Sequence, residues 1–433
     1  MKRISKTYPL TGDAYKSIKL KMLNWANQFS ISVFLDNSEY TNHRYHTYEC
    51  LLAVNPVFYI SASEGDTLDT LHQRHILQPD WLFGHLNYDY KNQLFSKLPS
   101  SKQNKFSFPD LYFFCPQTVC YIAKEKDSLT IETLTSDADA IFDDILSASY
   151  ESAVFLPSIA FTKRIQESAY LETIINLKEH IRNGDCYEIN FCNEGFAENA
   201  IINPLHAFQK LQQLSPAPFA AYYRHRDQFL ICSSPERYIC KQQNKVISQP
   251  IKGTIKRGAN QHEDEEFIHT LYDSGKDRAE NVMIVDLVRN DLSRSCEVGS
   301  IDVEELFGIY SYPSVHQMIS TVTGNLAENS PFTDVLRYSF PMGSMTGAPK
   351  LKVMQLIEQY ELAKRELFAG AIGYITPAAD FDFNVIIRSL FYNQQTRYLS
   401  YQTGGAITYD SIPQQEWEET LLKAFNLEKL FKS

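Results

Sequence analysis

Residues 165–431 alternate amphipathic helical segments with short aromatic and β-branched segments, and this alternation constrains the fold more than any other feature of the chain. The clearest helical segment is 165–182, and Asn183-Gly184 follows it with the left-handed residue that often ends a helix. Its apolar residues recur at i, i+4, i+7 and i+11, on one helix face: Tyr170, Ile174, Leu177 and Ile181. Helices are also predicted over 276–292, 349–360 and 415–431.

Strands are predicted between these helices and through most of the first part of the chain. They fall at 31–35, 57–60, 81–88, 118–122, 219–223, 229–233, 371–375, 383–390 and 398–402. The polar stretches 96–105 and 136–149 read as connections, although the second is also compatible with a helix. We expect an α/β (α+β) chain with much antiparallel sheet, divided at a seam near 145–165 into parts 1–150 and 151–433.

Composition excludes several classes of protein. The chain has 433 residues, and 41 basic against 52 acidic side chains give a net charge of −11, which argues against a nucleic-acid binder. Apolar residues make up 44 %, enough for a large core. The sequence contains neither a secretory signal nor a run of about 18 apolar residues. The eight cysteines form no Cys-x-x-Cys motif, so a cytoplasmic protein with reduced thiols and no membrane contact is expected.

Two helical segments carry carboxylates one turn apart. Glu416 and Glu419 share a face with Lys423, and Asp277 and Glu280 open the helix over 276–292. Two such pairs together suit a hard cation such as Mg²⁺. The alternatives are a solvated acidic face for the first pair and favourable charge in a first helical turn for the second.

Three further segments have the chemistry of a binding site for an anion. The loop over 343–350 contains Ser344 and Thr346 and precedes a helix, whose unpaired N–H groups attract carboxylate or phosphate. Gly404-Gly405 allows close approach of the backbone to a ligand. Arg388 lies in the predicted strand 383–390 and needs an anionic partner there, supplied by a ligand or by a neighbouring carboxylate.

Lys252 and Glu236 are candidate catalytic residues. Lys252 stands beside glycine in Gln-Pro-Ile-Lys-Gly-Thr, and an apolar setting can deprotonate a lysine and make it a nucleophile. Glu236 closely precedes it, and a buried glutamate can act as a general acid. The alternative for Lys252 is an ordinary surface lysine in a turn.

The order of these motifs resembles the chorismate-utilising enzymes, which include anthranilate, isochorismate, salicylate and aminodeoxychorismate synthases. The matching segments are SPER, PIKGT, DRAENVMIVDLVRNDL, GSMTGAPK, IGYI, IIRSL, TGGAI and EWEETLLK, and they extend from about residue 165 to 423. The resemblance implies a large chorismate-binding fold with two stacked antiparallel sheets flanked by helices. Weaker matches liken residues 1–150 to the N-terminal region of anthranilate synthase component I.

The resemblance also implies roles for these residues. Mg²⁺ would be bound by Glu280, Glu416, Glu419 and Asp277. Chorismate would be bound by Ser344, Thr346, Arg388, Gly404, Gly405, Lys423 and Gln317. Lys252 would attack the ring and Glu236 would protonate the departing hydroxyl. Many relatives have histidine at the position that Gln317 occupies in this chain. Because glutamine stands in place of that histidine, a proton-transfer role is not expected there. The adjacent His316 is expected to point elsewhere.

The lysine at position 252 points to one branch of the family. Anthranilate synthases typically carry alanine there, whereas aminodeoxychorismate synthases carry lysine, so component I of the latter type is the expected relative. Anthranilate synthesis, and a catalytically silent chorismate-binding regulatory subunit, are the alternatives. The sequence has no Gly-x-Cys-x-Gly nucleophile motif, so ammonia is expected from a separate glutaminase subunit or from solution.

Overall fold

The structure is a computed structural model that describes residues 2–41, 44–95, 98, 102–135, 137–149, 156–312 and 315–432. Its helices are α1 Ala14–Ala26, α2 Leu68–Leu77, α3 Lys91–Leu94, α4 Ala138–Ser147, α5 Glu167–Arg182, α6 Pro204–Leu214, α7 Gln261–Asp273, α8 Gly275–Leu292, α9 Phe332–Ser339, α10 Lys350–Tyr360 and α11 Pro413–Lys429. Within these residues, no helix is both long enough and apolar enough to cross a membrane.

The strands of the first part are β1 Ile4–Pro9, β2 Ile31–Asp36, β3 Tyr48–Ser61, β4 Leu82–Leu86, β5 Leu111–Ala123 and β6 Ser128–Thr133. Those of the second part are β7 Thr162–Lys163, β8 Glu188–Ala197, β9 Phe219–His225, β10 Gln228–Ser234, β11 Arg237–Gln242, β12 Lys245–Ser248, β13 Ile251–Lys256, β14 Asp302–Ser311, β15 Val315–Asn325, β16 Gly347–Ala348, β17 Ala371–Ile375, β18 Phe381–Val385, β19 Ser389–Asn393 and β20 Tyr398–Ile407.

These strands form two antiparallel sheets that share the long strands β3 and β5. The first sheet has the order β1-β6-β5-β3-β2-β9-β10-β19-β20-β8, with β7 and β16 on β8. The second has the order β3-β5-β4-β17-β18-β11-β12-β15, with β13 and β14 also on β15. β5 pairs with β6 through residues 118–122 and with β4 through residues 111–114.

The first sheet is buried on both faces because its strands alternate between two cores. On β2 and β10, Val33 and Leu230 point into the core between the sheets, where Phe383 of the second sheet also lies. Their neighbours Phe34 and Ile231 point into an outer core that helices α1 and α6 cover. On the second sheet, α8 packs against β13 and β15, and on the first, α11 packs against β20. These two helices place their acidic side chains above the strand ends.

The predicted stacked-sheet α/β architecture is confirmed, and the four predicted helices appear as α5, α8, α10 and α11. The stretch 136–149 contains helix α4. One predicted strand is wrong: 383–390 is divided into β18 and β19, because the chain turns at Arg388, whose φ is +53°. The part boundary at residue 150 and much of the connection 96–105 lie outside the described residues.

Candidate active site

Lys252 forms a buried ion pair with Glu188. Its Nζ lies 2.6 Å from Oε1 of Glu188, and the two residues are 8 % and 0 % exposed. Burial by itself would lower the pKa of Lys252, but the charge of Glu188 and its hydrogen bond outweigh burial and raise the pKa above the ordinary lysine value. Lys252 is therefore a buried ammonium in this structure, and the surface-turn alternative is wrong.

Glu236 lies between β10 and β11, close to Lys252. Burial raises its pKa to about 7, although a hydrogen bond from Ser344 and the positive charges of Lys252 and Lys423 oppose the increase. A carboxyl group with this pKa is protonated over much of the neutral range, as a general acid must be. Glu236 and Ser344 line one pocket.

The loop over 343–350 is held against the start of β8. Gly347 has φ +138°, and a Cβ there would lie 2.1 Å from the carbonyl oxygen of Glu188, so only glycine fits. The hydroxyl of Thr346 donates to the carbonyl of Met342 at 3.0 Å, and its N–H donates to the carbonyl of Gly343 at 3.0 Å. Thr346 thus shapes the loop, whereas Ser344 faces Glu236.

On α8, Glu280 faces Lys252, while Asp277 lies in the first turn and bonds the N-cap residue Ser274. Burial raises the pKa of Glu280 to about 7, Glu188 adds to the increase and Lys252 opposes it. Asp277 accepts a hydrogen bond from the hydroxyl of Ser274, which in turn accepts from the Asp277 N–H. These contacts fit the structural interpretation of Asp277 in the first turn, and its role toward a metal ion stays a prediction.

On α11, Glu416 and Glu419 face Gly405. A Cβ on Gly405 would lie 2.9 Å from Oε2 of Glu416 and 3.4 Å from Oε1 of Glu419. Oε2 of Glu416 is buried without a hydrogen-bond partner in the described structure, and burial raises the pKa of this residue. Lys423 pairs with Glu419 at 2.5 Å and donates to the carbonyl of Gly404 at 2.6 Å.

The carboxylates of α8 and α11 have suitable chemistry for a hard cation, although no three of them converge. Among the described residues, no group of three or more His, Cys, Asp or Glu side chains is arranged to hold a metal ion. Lys276 lies 3.9 Å from Glu280, and its positive charge also acts on Glu416 and Glu419, so it links the carboxylates of the two helices. The unpartnered Oε2 of Glu416 is the donor that fits a metal best.

Arg388 lies where the chain turns between β18 and β19, and its side chain is partly buried. In the part of the chain that the structure describes, its guanidinium has neither an ion pair nor a hydrogen bond. Its backbone carbonyl accepts from the N–H of Ser233 at 3.2 Å. Burial lowers the pKa of Arg388, and the charge of Glu419 opposes this. A partly buried arginine without a protein partner is typical of a site for an anionic ligand.

Gln317 and His316 point to different surroundings, as neighbouring residues of a strand must. His316 is fully buried and bonds Asp264 at 2.9 Å and Ser311 at 2.8 Å. Gln317 lies opposite Thr254 of β13, and its Oε1 is buried without a partner in the described structure. The prediction that His316 points elsewhere is confirmed, and the role of Gln317 stays a prediction.

Sequence reasoning missed Glu188 and Lys276. Glu188 is the first residue of β8, in the run Glu-Ile-Asn-Phe-Cys, where every residue is buried. A glutamate at such a position needs a cationic partner, and this signal was available in the sequence. Lys276 gave no signal, because a lysine in a first helical turn is ordinary.

Comparisons with known proteins identify the family. The family described as chorismate binding enzyme matches residues 34–429, and the chain belongs to this family of enzymes. The motifs near Lys252, Glu280 and Glu419 all lie inside the matched range.

Three relatives place the chain more closely. Aminodeoxychorismate synthase component 1 of Bacillus subtilis is 29 % identical over 359 residues, which cover 80 % of this chain and 76 % of that protein. The protein of the same name from Salmonella typhimurium is 33 % identical over 343 residues, which cover 79 % and 74 %. The crystal structure of anthranilate synthase component I from Streptococcus pneumoniae matches with a TM-score of 0.77 at 25 % identity, covering 90 % of this chain and 93 % of that one.

Proposed function

We propose that the chain converts chorismate and ammonia to 4-amino-4-deoxychorismate, for p-aminobenzoate and folate synthesis in the cytoplasm. The observation that carries the proposal is the buried Lys252, which stands beside Glu236 in one site. The names of the Bacillus and Salmonella relatives support the same product. Their designation as component 1 supports a second subunit, and we propose that it is a glutaminase that supplies ammonia.

In the proposed reaction, Lys252 and Glu236 share the chemistry. Lys252, as the free amine, attacks ring carbon 2 while Glu236 protonates the departing 4-hydroxyl. Ammonia then attacks carbon 4 and expels the lysine. Because the lysine occupies carbon 2, ammonia cannot add there, and the anthranilate product is avoided.

The remaining residues bind the substrate. Arg388 and the backbone of Gly404 and Gly405 hold the enolpyruvyl carboxylate, with Lys423 as a second cation. Ser344 orients Glu236 toward the hydroxyl, and Gln317 offers an unused polar group.

A metal ion completes the proposed site. Glu280, Glu416 and Glu419 would hold Mg²⁺, with Asp277 in support. The ion would bind the ring carboxylate and draw electron density from the conjugated diene.

The test is the product formed by the wild type and by Lys252→Ala from chorismate, Mg²⁺ and ammonium. The wild type should release aminodeoxychorismate, and the variant should lose this activity by on the order of 10³-fold or more, because it lacks the nucleophile. Fluorescent anthranilate from the wild type would favour the anthranilate synthase alternative, and full activity of the variant would contradict the covalent route. Lys241→Ala removes an equally buried lysine that pairs with Asp380 and is the matched control.

A further inference from the structure

Glu188 is a buried residue whose backbone is packed against the loop over 343–350. It is fully buried, and its backbone pairs with Ala348 in the short ladder between β8 and β16. The close packing of Gly347 against its carbonyl leaves that backbone no room to shift. Its carboxylate is therefore a fixed group, aimed at a site in which the loop over 343–350 also takes part.

The contacts of this carboxylate are few. Oε1 bonds Nζ of Lys252 at 2.6 Å, and Oε2 is buried with no hydrogen-bond partner among the described residues. Buried carboxylate oxygens are almost always hydrogen-bonded, so Oε2 has unused capacity to accept a hydrogen bond or a proton. Oε2 is free to receive a proton without the loss of any existing bond.

The proposed reaction requires such an acceptor. A lysine attacks carbon only as the free amine, and Lys252 is an ammonium in its pair with Glu188. Glu236 must itself be protonated to act as the acid, so it cannot take the proton in the same step. The other charged groups near Lys252 make no ion pair with it in the described structure and act over longer distances: Glu280, Glu236 and Glu419.

We propose that Glu188 is a further catalytic residue, the base that takes the proton of Lys252 before attack and returns it at the end of the cycle; this rests on the function proposed above. The proton moves from Nζ to the Glu188 carboxylate, and the Nζ electron pair forms the bond to carbon 2. The ring double bonds shift, the C4–O bond breaks, and the oxygen takes the proton of Glu236 and leaves as water.

The second half restores both groups. The electron pair of ammonia forms the C4–N bond, the double bonds shift back, and the C2–Nζ bond breaks with its pair returning to Lys252. The Glu236 carboxylate takes a proton from the new ammonium on carbon 4, and Lys252 recovers its own from Glu188. The net reaction is chorismate plus ammonia to aminodeoxychorismate plus water.

The experiment compares Glu188→Gln with Glu188→Ala in the full chain. The Gln side chain keeps the shape and hydrogen bonding of Glu188 but takes no proton, so kcat should fall about 10²-fold or more while KM for chorismate changes little. In the Ala variant, sodium formate should restore part of kcat, because it returns a small carboxylate to the vacated space. A residue that only supports the fold would show neither the split between kcat and KM nor the rescue.

A second readout needs no metal and no substrate. The lysines are reductively methylated with ¹³C-formaldehyde, and the signal absent from Lys252→Ala reports Lys252. Its titration midpoint should fall in Glu188→Gln by about one unit or more, because the neighbouring negative charge is gone.

The matched control is Glu49→Gln, which alters a fully buried glutamate paired with Lys19 at 2.7 Å, outside the site. It should leave kcat and the Lys252 midpoint unchanged. If Glu188→Gln keeps wild-type kcat while Lys252→Ala is inactive, the role of Glu188 is overturned and the proposed function stands. If Lys252→Ala keeps its activity, the covalent route itself is overturned.

Discussion

Two buried lysine–glutamate pairs in this protein have nearly the same geometry and different surroundings. Lys19 and Glu49 are 8 % and 0 % exposed and lie 2.7 Å apart, and Lys252 and Glu188 show the same exposures at 2.6 Å. The first pair joins α1 to β3 in residues 1–150. The second lies in the proposed active site.

The difference is in the remaining hydrogen bonds. Lys19 also pairs with Asp36 at 2.5 Å, and Glu49 also pairs with Lys126 at 3.3 Å and accepts from the N–H of Glu39 at 3.1 Å. Glu188 has one partner and an unused oxygen in the described structure. A pair in which every carboxylate oxygen is hydrogen-bonded stabilises the fold, whereas a pair with an unbonded carboxylate oxygen is suited to proton exchange.

The largest expected effect on activity is at Glu236, which lies in the proposed active site with the Lys252–Glu188 pair. Glu236→Gln should lower kcat by about 10²–10⁴-fold, because the amide cannot protonate the leaving hydroxyl. With its pKa near 7, Glu236 is the acid form below that pH, so wild-type activity should decline as pH rises above 7. Steady-state rates across pH provide the measurement. Glu366→Gln is the control: Glu366 is buried with a pKa raised to about 8 but bonds only backbone outside the site, so kcat should not change.

The carboxyl groups of Glu236 and Glu49 also predict opposite effects of pH on the free energy of unfolding. The pKa of Glu236 is raised in the folded protein, so its contribution is present below about 4.5 and is lost as pH rises through 7. The pKa of Glu49 is lowered, mainly because Lys19 outweighs burial, so its contribution is lost as pH falls below the ordinary glutamate range. Urea midpoints should lose the decline between about pH 4.5 and 7 in Glu236→Gln, and the decline below about pH 4.5 in Glu49→Gln. Equal pH dependence of the two variants would contradict the contrast.

The next effect is the loss of stability in Lys19→Met. This change leaves both Asp36 and Glu49 without their buried partner and should lower the free energy of unfolding by about 3–5 kcal/mol. Lys252→Met leaves one carboxylate unpaired and should cost about 1–3 kcal/mol. Urea denaturation measures both. A larger loss for Lys252 would show that its pair is the structural one.

The smallest effects are expected from substitutions at two neighbouring glycines of β20, Gly404 and Gly405. A Cβ at Gly405 would meet the movable carboxylate of Glu416 at 2.9 Å, so Gly405→Ala should raise KM for chorismate about tenfold with a loss of stability under about 1 kcal/mol. At Gly404 a Cβ would lie 2.1 Å from the carbonyl oxygen of Phe191, so Gly404→Ala should cost about 1–3 kcal/mol instead. Equal stability of the two variants would show that the β8 backbone yields.

The sequence predicted the parts of the fold whose side chains follow a period. Apolar spacing predicts the helix over 165–182, which the structure shows as α5, and the strands predicted over 219–223 and 229–233 appear as β9 and β10. The break at Arg388 was not predicted, because the run Asn-Val-Ile-Ile-Arg-Ser-Leu is apolar on both sides of it and only the left-handed φ reveals it.

The site was predictable where motifs name residue types, as for Lys252, Glu236 and Glu280. The partner of Lys252 was not, because Glu188 lies 64 positions away in sequence and the contact depends on how β8 and β13 meet. Asp277 had both interpretations in the sequence. Only the structure shows that Asp277 accepts a hydrogen bond from the N-cap residue Ser274.

The sharing of strands between the two sheets has a consequence for any shortened form of this protein. β2 supplies the neighbour of β9, and β4 supplies the neighbour of β17. A fragment beginning after residue 150 would expose two bare strand edges, both bordered by aromatic side chains, and such edges recruit other chains. By pairing with these edges, β2 and β4 prevent self-association of the part of the chain that carries Lys252.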